Sequence, residues 1–102
     1  MNKDEVCVLI PTLNEDKTIG GLVREFKSLG YSNILVIDGH SVDDTVKIAE
    51  NAGAKVIIQS GTGKGQAIKQ AFQLATSKYV VLIDGDGTYL PEEIEKILEP
   101  VT

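Results

Sequence analysis

The stretch ILVIDGHSVDDTVKIAE, residues 34–50, changes its hydrophobic period partway along. Ile34 to Ile37 form an unbroken apolar run of strand length, as expected of a strand covered on both faces. Asp38 to Thr45 is polar and carries a glycine. Val42, Val46 and Ala49 then recur at helical spacing, Ser41 with Asp44 three positions on predicts a capping box, and Gly53 supplies a stop. A strand, a loop and a helix in that order form one unit, and the rest of the chain repeats it. Val6 to Ile10, Lys55 to Ile58 and Tyr79 to Ile83 are the other apolar runs. The first is followed by Ile19, Leu22, Val23, Phe26 and Leu29 at helical spacing, with Asn14 ahead of them as the expected cap and Gly30 behind. Lys55 to Ile58 is followed by Ala67, Ile68, Ala71, Leu74 and Ala75, and Pro91 with Glu92 and Glu93 opens a fourth helix. The predicted order is β-α-β-α-β-α-β-α.

Near-continuous hydrophobic strands alternating with amphipathic helices predict an α/β fold with a mainly parallel sheet covered on both faces. In such doubly wound sheets ligands bind beyond the carboxyl ends of the strands, where strand order reverses. An order of 3-2-1-4 puts that point between the first and fourth strands. Polar and glycine residues collect at all four carboxyl ends: PTLNE (11–15), DGHSVDDT (38–45), SGTGKGQA (60–67) and DGDGT (84–88).

The chain has 102 residues, enough for one domain and one core. Its 42% hydrophobic and 25% charged residues are ordinary for a globular protein and argue against disorder. With 15 acidic against 10 basic residues and no Lys/Arg cluster, the footprint of nucleic-acid binding is missing. An anionic ligand would need a metal ion, a helix N-terminus or backbone amides to bind here. The lone Cys7 lies in an apolar run and reads as core packing in a reducing compartment. No signal peptide or membrane-spanning run is present in the sequence, and a cytoplasmic location, peripheral at a membrane at most, is expected.

Taken together, the four loops resemble glycosyltransferase family 2, inverting enzymes of the GT-A fold. That family's nucleotide-binding half carries Pro-Xaa-Xaa-Asn-Glu, then Asp-Xaa-Xaa-Ser-Xaa-Asp-Xaa-Thr, a Gly-Xaa-Gly opening a helix, and Asp-Xaa-Asp. Here these are PTLNE, DGHSVDDT, GKGQA and DGD, in order and over nearly the whole chain. The resemblance implies a Rossmann-like three-layer sandwich, the N-terminal half of a GT-A fold, with residues 1–102 as a single nucleotide-sugar-binding domain. Within the family the chain looks closest to the polyprenyl- or dolichyl-phosphate sugar synthases, which implies a lipid-phosphate acceptor.

Carried over by resemblance, Pro11 and Glu15 lie against the nucleoside, Asp38 hydrogen-bonds the base, and Gly63, Lys64 and Gly65 lie near the nucleotide. Asp84 and Asp86 serve the ribose and the metal-bound pyrophosphate, Asp86 as the direct ligand, with Mg²⁺ or Mn²⁺ as the implied metal. Elementary chemistry agrees. A carboxylate accepts an N–H from a base edge, and glycines allow close approach of the backbone. Mg²⁺ and Mn²⁺ prefer oxygen ligands, one or two carboxylates with phosphates and water completing the shell. Without a cation, a carboxylate about 4 Å from a phosphate charge would repel it by roughly 4 kcal/mol at an effective dielectric near 20.

Simpler roles cover several residues. Asp43 and Asp44 fall in a predicted first helical turn, where acidic residues stabilise the dipole, and Thr45 is read as structural. His40 has no partner at metal-ligand spacing and reads as a loop residue lining the cleft. Lys64 does not complete a P-loop, since Ile58 and Gly65 stand where that motif needs Gly and Ser/Thr. VVLIDGDGTYL also fits the Asp-Xaa-Asp-Gly-Thr motif of haloacid-dehalogenase-like phosphatases, with Asp84 as nucleophile. Only residues 89–102 follow that motif, however, and the other three loops would go unexplained. A non-catalytic nucleotide-binding module is the other alternative.

Family 2 enzymes also need a second half with an acceptor wall and a catalytic base. Glu92, Glu93, Glu95 and Glu99 read as the solvated side of a helix whose apolar face is Ile94, Ile97 and Leu98, so no catalytic residue is assigned. The chain is therefore expected to be the donor-binding half, inactive by itself, and to self-associate as a homo-oligomer through an open sheet edge or its last helix.

Overall fold

The computed structural model describes residues 3–61, 63, 65–66, 69, 78–85 and 91. A 3₁₀ turn, Lys3–Glu5, leads into β1 (Val6–Thr12), followed by α1 (Ile19–Ser28), β2 (Asn33–Asp38), α2 (Thr45–Ala52), β3 (Lys55–Ile58) and β4 (Tyr79–Leu82). The strands form one parallel sheet in the order β3-β2-β1-β4, as the alternating sequence predicts. The third helical pattern and most of the fourth lie outside the described residues.

Side chains alternate across the two central strands with the period of two that a pleated strand imposes. Val6, Val8 and Ile10 of β1, with Ile34 and Val36 of β2, share one core with Ile19, Leu22, Val23 and Phe26 of α1 and Ala49 of α2. Cys7, Leu9, Leu35 and Ile37 form a second cluster on the opposite face. Both faces are buried, which is why these strands read as continuous apolar runs. Burial pushes the Cys7 thiol above its ordinary value, as expected of a core cysteine rather than a reactive one. α1 and α2 pack closely at Gly20, where an added Cβ would lie 2.8 Å from Ile48 Cγ2.

The helix stops match expectation. Gly30 takes φ 100°, its N–H donates to the Lys27 carbonyl, and the Tyr31 N–H reaches back to Phe26. Tyr31 then sets its ring edge-on to Phe26 at 5.9 Å, the apolar contact that accompanies this kind of terminus. The starts differ from expectation. α1 is preceded by Thr18, not Asn14, and α2 by Asp44, so Ser41 is not a cap. β1 and β2 also run past their apolar cores, because pairing holds Pro11 and Thr12 in register with Ile37 and Asp38.

Candidate functional site

Parallel pairing brings the carboxyl ends of the strands level. Thr12 is opposite Asp38, Asp38 opposite Ile58, and Leu9 opposite Leu82. A cleft of about 230 Å³ opens there, and all four strand ends line it. The loop side of β1 supplies Pro11, Thr12, Leu13 and Glu15, and β2 supplies Gly39. Gln59 and Gly63 follow β3, and Asp84 follows β4. The volume is below the ~300–1,000 Å³ of most small-molecule sites and suits part of a larger ligand.

The loop after β1 is held by the loop after β2. The N–H of Asn14 donates to Ser41 Oγ at 2.8 Å, that of Glu15 to Thr45 Oγ1 at 2.8 Å, and that of Asp16 to Asp43 Oδ2 at 3.3 Å. In return Asn14 Oδ1 accepts the N–H of Val42 at 2.9 Å. Asn14 sits at φ 54° to do this, a conformation asparagine tolerates better than most residues. The Asp43 carboxylate also accepts the hydroxyl and the N–H of Thr45. The Thr45 hydroxyl foremost, with the Thr45 and Asp16 amides, holds the Asp43 carboxyl below its usual range. Asp43 and Asp44 do not lie in the first turn of α2, which holds no acidic residue, so the expected dipole role gives way to another: Asp43 and Thr45 carry the backbone of the neighbouring loop. His40, at φ 67°, is exposed and is not among the cleft-lining residues.

Asp38, expected to face a base, is instead completely buried. Its Oδ1 accepts the hydroxyls of Thr12 at 2.8 Å and Ser41 at 2.6 Å, and its Oδ2 accepts the Ser41 N–H at 2.8 Å. Turning inward, it ties the end of β1 to the turn after β2. Its backbone carbonyl takes the N–H of Gln59 at 2.8 Å, which extends the same anchoring to β3.

Glu15 and Asp84 are half-buried and line the cleft, and Gly63 borders it. Gly65 is exposed and is not among the lining residues. Lys64 and Asp86 lie outside the described residues. Asp84 owes its place to Gly85, where an added Cβ would fall 2.9 Å from Thr12 Cγ2 and 3.3 Å from the Pro11 carbonyl. The Gly85 carbonyl accepts the Thr18 hydroxyl at 2.6 Å, which joins the turn after β4 to the start of α1. Thr12, Leu13, Gly39 and Gln59 were not singled out in the sequence. For Gln59 the available signal was a polar residue directly after a strand run.

Among the described residues, no group of three or more His, Cys, Asp or Glu converges. The charged lining side chains described are both carboxylates, Glu15 and Asp84, and none is basic. Such an oxygen-only donor set fits a hard divalent cation that takes its remaining ligands from phosphate and water.

The family model for glycosyl transferase family 2 matches residues 7–102. Glycosyltransferase AglJ of Haloferax volcanii is 47% identical over 100 residues, covering 97% of this chain and 33% of AglJ. A dolichyl-phosphate hexose transferase of the same organism is 34% identical, over 94% of this chain and 42% of the relative. Glucosyl-3-phosphoglycerate synthase of Mycobacterium tuberculosis, in complex with Mn²⁺, UDP-glucose and phosphoglyceric acid, superposes with a TM-score of 0.83 at 27% identity. That match covers 94% of this chain and 38% of the synthase, which has also been solved with Mg²⁺ and UDP. The chain thus spans between a third and under half the length of these relatives.

Proposed function

Because this chain belongs to glycosyl transferase family 2, we propose that its cleft binds the nucleoside diphosphate of a UDP- or GDP-sugar together with Mg²⁺ or Mn²⁺, as the donor site of a glycosyl transfer. One observation carries this reading: all four strand ends converge on a single cleft whose described charged groups are carboxylates. A divalent cation would offset the repulsion between such carboxylates and a diphosphate. Asp84 and Asp86 would hold that cation, which would act as a Lewis acid on the leaving diphosphate. Pro11 and Glu15 would border the nucleoside. Gly63, Lys64 and Gly65 would lie along the nucleotide, Lys64 adding a positive charge. Asp38 would act beneath the ligand by holding Thr12 and Ser41 in place.

A polyprenyl or dolichyl phosphate acceptor is the finer proposal for the whole protein, supported by the similarity to the dolichyl-phosphate hexose transferase. No helix among the described residues is long and apolar enough to cross a membrane. A cytoplasmic site working at the membrane face goes with a lipid acceptor. Self-association is proposed through the outer strands, where Ile58, Tyr79 and Leu82 are exposed. The phosphatase alternative loses its support, because the family match runs through the DGD segment.

Calorimetry of UDP and GDP in Mn²⁺ and in EDTA tests the reading. Affinity should fall by roughly tenfold or more when the metal is removed, a change of about 1.4 kcal/mol. Asp86→Ala should abolish that dependence. Equal affinity in Mn²⁺ and EDTA would remove the metal from the site, and binding without any transfer by the whole protein would favour a non-catalytic module.

A further inference from the structure

Asp38 turns inward to Thr12 and Ser41, and the strand beside it brings another polar side chain to the cleft. Gln59 is 3% exposed yet lines the cleft. Its backbone N–H is held by Asp38, and its side-chain Nε2 donates to the Gly63 carbonyl at 2.9 Å. A carbonyl only accepts, so flipping the amide would set two oxygens against each other. The orientation is therefore locked, and Oε1 is left without a hydrogen-bond partner among the described residues. That oxygen lies beside Gly39, where an added Cβ would come within 3.3 Å of it. Having no side chain, Gly39 leaves the oxygen open to the cleft it also lines.

We propose that Gln59 is the base-reading residue of this site, its Oε1 accepting the ring N–H of a uracil or guanine base. The inference rests on the nucleotide-binding reading of the cleft and deepens it. An amide oxygen at the cleft on a residue otherwise buried suits a donor from the ligand, because a ligand that sets an acceptor against it binds less well. Uracil and guanine present a ring N–H at that edge, whereas cytosine and adenine present a lone pair at the matching ring atom. Gln59 and Gly39 together would thus set the class of donor nucleotide, with Asp38 as a positioning residue acting through the Gln59 backbone.

The test uses the full chain in Mn²⁺, with UDP and N3-methyl-UDP, and GDP and N1-methyl-GDP, as calorimetric ligands. Methylation removes the ring N–H and leaves ribose and diphosphate unchanged. For the nucleotide that binds, methylation should weaken wild type by at least roughly three- to tenfold, the worth of one neutral hydrogen bond. Gln59→Met keeps the length and packing of the side chain and should bind the parent and the methylated nucleotide alike. Gly39→Ala, which leaves the Gln59 side chain in place and sets a methyl against its oxygen, should shrink the methylation effect and gives an independent reading if Gln59→Met folds poorly. An equal methylation penalty in all three proteins would overturn the inference while leaving a nucleotide site intact. Failure of wild type to bind UDP or GDP at all would overturn both.

Discussion

Replacing Asp38 by alanine separates two roles that predict opposite outcomes. A carboxylate presented to a ligand can be removed at little cost to the fold, and often with a gain. A carboxylate that organises its surroundings cannot. Here the deletion strips the partner from the Thr12 hydroxyl, whose residue is 5% exposed, and leaves that buried donor unmatched at about 1–3 kcal/mol. The two donors from Ser41 are only partly buried and can turn to water, so each loss is worth about 0.5–1.5 kcal/mol. The sum is about 2–6 kcal/mol, a large part of the ~5–15 kcal/mol that typically holds a domain together. In urea, with a slope of about 1–3 kcal/mol per M, a loss near 4 kcal/mol lowers the midpoint by roughly 1–4 M. Asp38→Asn keeps one acceptor oxygen and should fall between wild type and Asp38→Ala. A midpoint for Asp38→Ala within the error of wild type would refute the anchoring role and return Asp38 to the ligand.

Three further outcomes follow from the same region. Gly85→Ala should lose about 2 kcal/mol by overpacking against Thr12 and Pro11, lowering the melting temperature by about 8–16 °C in calorimetry; an unchanged melting temperature would mean the turn gives way freely. Thr45→Val removes the acceptor for the Glu15 N–H and should cost about 1–3 kcal/mol in urea titration, whereas a neutral result would show that the two loops are not interdependent. The third concerns pH. Because the Asp43 pKa is lowered in the fold, its contribution is present above its ordinary value of 3.8 and is lost as pH falls through the lower folded value. Wild-type stability should therefore drop in that acid window and Thr45→Val should drop less, since the hydroxyl is the main cause of the shift; parallel acid profiles would contradict this.

The sheet was legible because burial on both faces leaves a plain mark, an apolar run such as Leu35 to Ile37, and because Gly30 and Gly53 mark helix ends by a conformation few other residues accept. The site was legible only in outline. Ser41 and Asp44 have the spacing of a capping box, but the Asp38 carboxylate takes the Ser41 amide and the Ser41 oxygen accepts the Asn14 N–H in place of a helix amide. Local spacing does not reveal this, since the Asn14 amide comes from another loop and Thr12, from another strand, donates to the same carboxylate as Ser41. Asn14 was misplaced for a similar reason: its side chain serves Val42, 28 residues away, rather than a helix start. Gln59 escaped notice because it adjoins the apolar run of β3, and only the register with Asp38 shows that it stands at the rim.

The cross-laced loop after β2 alternates in what it offers. Ser41, Asp43 and Thr45 hold the neighbouring backbone, while the intervening Val42 leaves its side chain 92% exposed and uses only its N–H. Cys7, the chain's one thiol, is buried in the sheet. A Val42→Cys variant would therefore carry a single reactive thiol on the loop that braces the segment after β1 without breaking any of the side-chain bonds that shape it. A fluorophore attached there would report ligand arrival by a change in emission, in an otherwise unaltered protein.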